Sequence, residues 1–274
     1  MQRFVLVAGM QSASMLVACM LVLAGCIAHA DPTQAIPVAT IAAKQPATRL
    51  VVVLPGRADG LPGLRDSGMA DAIQSAWPDA DVTYAGITID YYQQGDAPQR
   101  LHAEVIAPAR ARGAYREVWL AGASLGGMGS LLYDAAYPQG VDGIVLLAPY
   151  VGDRPLLTEI DNAGGVARWN PGPQRAIDGE TWQRELWRRI QVLSKDPQRA
   201  SRVWLAYGDD DRLREAMPLL TPALRPDQVF VRDGGHTWRV WAPATREILQ
   251  AIDARRGNTA SGTTSESRSS TRAP

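Results

Sequence analysis

Cysteine is nearly absent from this chain of 274 residues. The two cysteines, Cys19 and Cys26, lie within the first 26 residues, so the rest of the chain contains neither a disulfide nor a metal site built on cysteine. A net charge is also lacking, because 28 basic residues balance 28 acidic ones. Without a basic surface to hold phosphate groups, we expect no nucleic-acid partner.

Histidine is scarce as well, with three in the whole chain, which leaves few candidates for a general base. Phenylalanine occurs only twice, whereas tryptophan occurs eight times. Tryptophan suits partly buried walls, where an apolar ring and one N–H donor are both useful. The aromatic composition therefore favours a lined pocket.

The first 26 residues have the profile of an export signal: one basic residue, Arg3, then an apolar stretch densest over residues 15–24, and no acidic residue. Their last four residues, Leu23-Ala24-Gly25-Cys26, resemble the lipobox of bacterial lipoproteins. That resemblance implies acyl chains on Cys26 and anchoring to a membrane on the periplasmic or outer-membrane side. The alternative is cleavage after Ala30, which would give a soluble periplasmic or secreted protein.

Both ends of the remaining chain are expected to lie outside the folded domain. Residues 27–48, which contain three prolines, are predicted to be a tether. Residues 256–274 are rich in Ser, Thr and Gly without an apolar face, and are predicted to be disordered. The domain itself is expected to span residues 49–255.

Within residues 49–255, short β-branched runs alternate with longer helical stretches. This alternation predicts an α/β fold with a mostly parallel central sheet and helices on both faces. Between two of the strands, residues 151–195 begin with Gly, Pro and Trp and continue as a helical stretch, and are predicted to be a small cap over a site. The predicted strands are residues 50–54, 82–89, 117–121, 143–148, 202–207 and 228–232.

A candidate nucleophile lies in Gly122-Ala123-Ser124-Leu125-Gly126, which fits the pattern G-x-S-x-G. The motif directly follows an apolar strand and directly precedes a helical run, so Ser124 is expected at a sharp turn with its hydroxyl above the sheet. Unpaired N–H groups at the start of the helix would lie beside an oxygen that becomes negative.

Serine needs a base to accept its proton, and His236 is the best candidate, since it lies in a glycine-rich loop after the last strand. His102 falls inside a helical stretch, and His29 is assigned to the export signal. The turn after the preceding strand, Gly208-Asp209-Asp210-Asp211, offers acids that could orient the imidazole.

The order Ser124, acid, His236 resembles that of the α/β-hydrolase superfamily, including its esterases and lipases, and the resemblance spans nearly all of the chain after the tether. It implies a small-molecule ester-like substrate, an acyl-serine intermediate, and no metal or organic cofactor. In this family the acid usually follows such a glycine by three residues, which assigns the role to Asp211. Asp209 remains the first alternative, and Asp153 the second.

An oxyanion hole in this family would take one N–H from Leu125, the residue after the nucleophile. The second donor should follow the first strand, where many members carry His-Gly but this chain has Pro55-Gly56-Arg57. Proline has no N–H, so the resemblance assigns the second donor to Arg57.

Other functions remain open at this stage. The same triad would serve a thioesterase or an acyltransferase. Two alternatives are not enzymes: a catalytically silent hydrolase fold used for binding, and a ligand-binding lipoprotein. The sequence does not determine the oligomeric state.

Overall fold

The computed structural model of the protein describes residues 27–113 and 115–269. The strands are β1 (Val38–Ile41), β2 (Arg49–Leu54), β3 (Ala80–Ala85), β4 (Glu117–Ala123), β5 (Gly143–Leu147), β6 (Val203–Gly208) and β7 (Val229–Arg232). They form a seven-stranded sheet with the order β1-β3-β2-β4-β5-β6-β7. β1 is antiparallel to β3, and the other neighbours are parallel. The prediction of a mostly parallel sheet is confirmed.

Helices follow most of the strands. They are α1 (Leu61–Arg65), α2 (Met69–Ala76), α3 (Ile89–Gln93), α4 (Ala97–Leu101), α5 (Ala107–Ala111), α6 (Leu125–Ala136), α7 (Arg154–Asn162), α8 (Trp182–Lys195), α9 (Pro197–Ala200), α10 (Met217–Leu220) and α11 (Trp238–Ser269). A π-helical turn, His102–Ile106, joins α4 to α5, and short 3-10 turns occupy Arg214–Ala216, Thr221–Ala223 and Pro226–Gln228.

Two apolar cores cover the two faces of the sheet, and alternation along β2 shows how they are divided. Val51 and Val53 belong to the core under α2 and α11, whereas Leu50 and Val52 belong to the core under α6 and α8. Because strand side chains alternate between faces, a strand covered on both sides needs apolar residues at every position. The continuous apolar run of β2 follows from this.

The N-terminal segment differs from the tether predicted for residues 27–48. Residues 38–41 form the edge strand β1, whose Val38 lies opposite Ala85 of β3. This strand has only four residues, and most of them are exposed, so no buried apolar run marks it in the sequence. Residues 28–36 are also bound to the domain, through contacts described below.

The C-terminal segment also has more regular backbone structure than its sequence predicts. Residues 256–274 were predicted to be disordered, whereas the backbone of α11 remains helical to Ser269. After Pro243 the next proline is Pro274, so no proline interrupts the helix across that stretch. Residues 270–274 lie outside the described part of the chain.

A proline accounts for the interruption between α4 and α5. Pro108 has no N–H, so the carbonyl four residues earlier, at Glu104, loses its α-helical donor. The π-helical turn ends two residues before Pro108 and contains Glu104. The helical stretch that contains His102 is therefore divided into two short helices joined by the turn.

The insertion predicted as a cap, residues 151–195, contains α7 and α8. The apolar face of α8, with Leu186 and Ile190 four residues apart, is fully buried in the core that α6 shares. A buried ion pair between Arg189 and Asp134 also joins α8 to α6. α8 is therefore mainly a core helix. Its first residue, Trp182, and the segment preceding it border the cavities described below.

Within the described residues, none of the helices combines the length and apolar character needed to cross a membrane.

Candidate active site

Ser124 lies at the turn between β4 and α6, at the carboxyl edge of the sheet. Its backbone has φ 52° and ψ −110°, a positive φ that is rare for a residue with a side chain. Three N–H groups, from Gly127, Met128 and Tyr150, bind its carbonyl at 2.9 to 3.1 Å. These bonds hold the turn in a strained conformation, as is typical of functional sites.

The glycines of the motif allow strand and helix to approach closely. A Cβ on Gly122 would lie 2.1 Å from the carbonyl oxygen of Gly126, and a Cβ on Gly126 would lie 2.5 Å from that of Leu54. Real Cβ atoms are not found at such distances from backbone oxygens. Any side chain at either position would therefore push α6 away from the sheet and displace Ser124.

Asp211 and His236 are joined directly. Both carboxylate oxygens of Asp211 lie 2.9 Å from Nδ1 of His236. Asp211 is completely buried, and one oxygen also accepts the N–H of Leu213 at 2.8 Å. A carboxylate beside Nδ1 requires the proton on that nitrogen, which leaves Nε2 as the basic one.

Nε2 of His236 is buried and has no hydrogen-bond partner among the described residues. The edge of Trp241 supports the ring, with centroids 4.7 Å apart and planes at 89°. Both features leave the imidazole fixed in orientation and able to accept a proton at Nε2.

The other candidate acids and bases are engaged elsewhere. Asp209 is exposed and accepts the N–H of Gly234 at 2.9 Å, which holds the histidine loop. Asp153 is bonded to Tyr150 and Gln183. Nδ1 of His102 lies 3.0 Å from the Tyr133 hydroxyl, and Nδ1 of His29 is hydrogen-bonded to the Asp90 carboxylate.

A short series of contacts connects Ser124 to the histidine loop. A Cβ on Gly56 would lie 3.7 Å from the Cβ of Ser124 and 3.2 Å from a carboxylate oxygen of Asp59. That same oxygen accepts the indole N–H of Trp238 at 3.0 Å. Trp238 lies two residues after His236 in the chain. The loop after β2 thus lies between the serine and the histidine loop. No hydrogen bond joins Ser124 to His236 in the structure, and such bonds commonly tighten only when substrate binds.

Asp59 is a site residue that sequence reasoning missed. Burial raises the pKa of its carboxyl, while the hydrogen bond from Trp238 and the nearby His236 oppose that rise. Its bond to Trp238 ties the loop after β2 to the start of α11. The available signal was a carboxylate three residues after the Pro55-Gly56 turn, the turn already assigned to the oxyanion hole.

Leu125 directly follows Ser124 in the chain, and Arg57 belongs to the loop that approaches Ser124. Leu125 is the first residue of α6, so its N–H has no acceptor within the helix. Arg57 directly follows Gly56, the residue whose Cβ position approaches Ser124. The Arg57 side chain is exposed, and its charge opposes the rise that burial and Asp153 cause in the pKa of Tyr150.

Two cavities border this edge of the sheet, and Tyr150 lines both. The larger, about 380 Å³, lies between α7 and the turn after Asp211, and includes Arg154 and Arg212 in its wall. The smaller, about 190 Å³, is mainly apolar and adjoins the nucleophile turn through Leu125. Its wall also contains Ile89, Tyr92, Met128, Leu132, Ile177 and Trp182. We regard the smaller cavity as the more relevant because Leu125 directly follows Ser124.

Among the described residues, no three His, Cys, Asp or Glu side chains lie close enough together to hold a metal ion.

The family comparison covers most of this site. The model of the Esterase family, described as "Putative esterase", matches residues 96–252, more than half of the chain. The chain belongs to this esterase family. The matched segment contains Ser124, Asp211 and His236, whereas the loop with Arg57 and Asp59 precedes it. No curated protein matches the esterase.

Solved structures share the fold of this esterase at low sequence identity. MPT51 from Mycobacterium tuberculosis is 18% identical, with a TM-score of 0.56, over 82% of this chain and 97% of that one. FphF, a fluorophosphonate-binding serine hydrolase from Staphylococcus aureus, is 13% identical, with a TM-score of 0.53, over 77% and 90%. Est1E from Butyrivibrio proteoclasticus is 13% identical, with a TM-score of 0.51, over 80% and 93%. The predicted α/β-hydrolase fold is confirmed.

Proposed function

We propose that this esterase is a serine hydrolase that cleaves a carboxylic ester, or a related acyl bond, through an acyl-serine intermediate. One observation carries the proposal: a buried carboxylate, Asp211, holds Nδ1 of His236 while Nε2 has no partner among the described residues. This is the arrangement a general base needs, and it lies at the same sheet edge as the strained turn of Ser124.

In the first half of the reaction, Nε2 of His236 accepts the hydroxyl proton as Ser124 Oγ bonds to the ester carbonyl carbon. The carbonyl oxygen becomes negative and receives the N–H groups of Leu125 and Arg57. When the carbon–oxygen bond to the alcohol breaks, the imidazolium returns its proton to the leaving oxygen. Asp211 remains ionised and stabilises the imidazolium.

In the second half, water replaces the alcohol. His236 accepts a proton from the water as its oxygen attacks the acyl carbon, and the same two N–H groups bind the second oxyanion. Collapse of this intermediate returns the proton to Ser124 Oγ and releases the carboxylic acid. None of these steps needs a cofactor, because the chain's own groups move every proton.

The substrate is expected to carry an apolar group that fits the cavity beside Leu125. Tyr92, Met128 and Trp182 give that cavity mainly apolar walls, and apolar surface attracts the acyl or alkyl part of an ester. Thioesters are alternative substrates, since they undergo the same chemistry at the carbonyl carbon.

A fluorophosphonate probe tests the nucleophile directly. We expect one covalent adduct per chain, located on Ser124 by peptide mass mapping, and no adduct in Ser124→Ala. Ser130→Ala is the matched control, because Ser130 lies on the same helix and its buried hydroxyl is bonded to the Gly126 carbonyl. Absence of an adduct on the wild-type chain would support a catalytically silent binding protein instead.

We also propose that the esterase is exported and anchored by acyl chains on Cys26, which lies outside the described residues. The basis is the signal-like composition of residues 1–26 and the lipobox-like Leu23-Ala24-Gly25-Cys26. In cells fed labelled palmitate, the protein should become labelled, and Cys26→Ala should remove the label. If the Cys26→Ala variant were still labelled, the proposed acylation of Cys26 would be wrong.

A further inference from the structure

Residues 28–36, here called the N-terminal strap, are bound across the loop that follows β2. The N–H of Ala28 donates to the carbonyl of Arg57 at 3.2 Å. The next two residues bind one carboxylate, since Nδ1 of His29 lies 2.9 Å and the N–H of Ala30 lies 3.0 Å from oxygens of Asp90. The strap therefore connects the Arg57 loop to the start of α3.

Side chains from α4 and the π-helical turn hold the rest of the strap. The Arg100 guanidinium donates to the carbonyls of Pro32 and Gln34. Glu104 accepts the N–H of Ile36 at 2.7 Å and also binds Arg100 at 2.6 Å. Both side chains are largely buried, at 17% and 27% exposed. The strap is thus fixed along its length, although its sequence predicted a tether.

The bond from Ala28 acts on the residue assigned as the second oxyanion donor. Arg57 and Ala58 are both exposed, so little side-chain packing holds this part of the loop. On one side, the Gly56 carbonyl is held by the N–H of Asp59 at 3.1 Å. On the other side, the carbonyl of Arg57 is held by Ala28. These two bonds together restrict the backbone rotation that sets the direction of the Arg57 N–H.

We propose that the N-terminal strap is a positioning element for the oxyanion hole: Ala28 fixes the peptide that follows Arg57, next to the peptide that carries the Arg57 N–H, and Asp90 anchors Ala28 through the two residues that follow it. This inference rests on the proposed serine hydrolase mechanism. A donor accelerates the reaction only if it already points to where the oxyanion will form, and a misplacement of about 1 Å can cost about 100-fold in rate.

Asp90, which anchors the strap, is ionised throughout the neutral pH range. The hydrogen bond from His29 is the largest of several that hold the pKa of Asp90 at about 2 against the opposing effect of desolvation. The Thr88 hydroxyl also donates to this carboxylate, at 2.9 Å. A charged acceptor makes hydrogen bonds roughly twice as strong as a neutral one does.

The first test replaces Ala28 by proline, which removes the N–H that binds Arg57. We expect kcat to fall about tenfold or more, with KM within about twofold of wild type. A boronic acid that forms a tetrahedral adduct with serine should lose affinity by a similar factor, since it depends on the same donors. Ala43→Pro is the matched control, because it removes an N–H bonded to Asp81 in the same N-terminal segment, away from the site.

The second test releases His29 and Ala30, the strap residues that follow Ala28, without adding a proline. Asp90→Ala should reproduce the loss of kcat and of boronic acid affinity, whereas Asp96→Ala, a nearby exposed acid, should not. The proposal is overturned if both strap variants keep wild-type kcat, if Ala43→Pro loses as much as Ala28→Pro, or if kcat falls without a matching loss of inhibitor affinity. Fluorophosphonate labelling of the wild type keeps failure of this inference separate from failure of the proposed function.

Discussion

Replacing Asp211 by Asn should lower kcat about 10,000-fold with little change in KM. The amide has nearly the same shape and can fill the same completely buried position. It cannot stabilise the imidazolium, and its NH2 group favours the tautomer of His236 with the wrong nitrogen protonated. Steady-state kinetics on a chromogenic ester, with the thermal midpoint as a check on folding, measures the effect.

Asp209→Asn is the control for this experiment, and it also decides between the two acids that the sequence left open. An Asn side chain retains an oxygen that can accept the N–H of Gly234, the bond Asp209 makes in the structure. We therefore expect activity within about threefold of wild type, since no catalytic contact is lost. A larger loss in Asp209→Asn than in Asp211→Asn would transfer the acid role to Asp209.

Asp134→Ala is expected to lower the free energy of unfolding by about 3–5 kcal/mol. Asp134 and Arg189 are only 3% and 5% exposed, so removal of the carboxylate leaves a buried guanidinium without its counter-charge. Burial also raises the pKa of Asp134, and the charge of Arg189 opposes that rise. Urea denaturation followed by tryptophan fluorescence gives the free energy.

An exposed ion pair provides the comparison. Arg154 and Glu215 are 86% and 78% exposed and 3.5 Å apart, so Glu215→Ala should cost no more than about 1 kcal/mol. The double variant Asp134→Leu, Arg189→Met should recover most of the stability lost in Asp134→Ala, because it removes the buried guanidinium as well. Arg202, the other partner of Asp134, is 30% exposed and stays bonded to the carbonyls of Val141 and Pro138. Equal losses in Asp134→Ala and Glu215→Ala would show that the buried pair contributes little.

The parts of the fold that the sequence predicted are those recorded in local patterns. The central strands β2, β4, β5 and β6 are largely apolar because both of their faces are buried, and the turn at Ser124 is marked by glycines that the close approach of α6 requires. The edge strand β1 was missed because it has only four residues and most of them are exposed, so its sequence contains no continuous apolar run. The helical end of α11 was missed because its composition has no apolar face.

The site was predictable only in part, for a related reason. The assignment of Asp211 came from a family resemblance, since Asp209 and Asp211 in the same turn have the same chemistry and only the fold brings one of them to His236. Asp59 acts through a bond to Trp238, a residue 179 positions away, and no spacing rule connects the two. Contacts of this kind depend on tertiary packing, which a single sequence does not record.

The strap has a consequence for the proposed export of the chain. Ala28, His29 and Ala30 fall between the two points where the sequence predicts that the export signal is cut away, before Cys26 and after Ala30. A peptidase acting at the later point would discard the residues that bind Arg57 and Asp90, and the proposed oxyanion donor would lose its positioning. Cutting at the earlier point keeps these residues, so under both proposals the form that retains Cys26 for acylation would be the more active one.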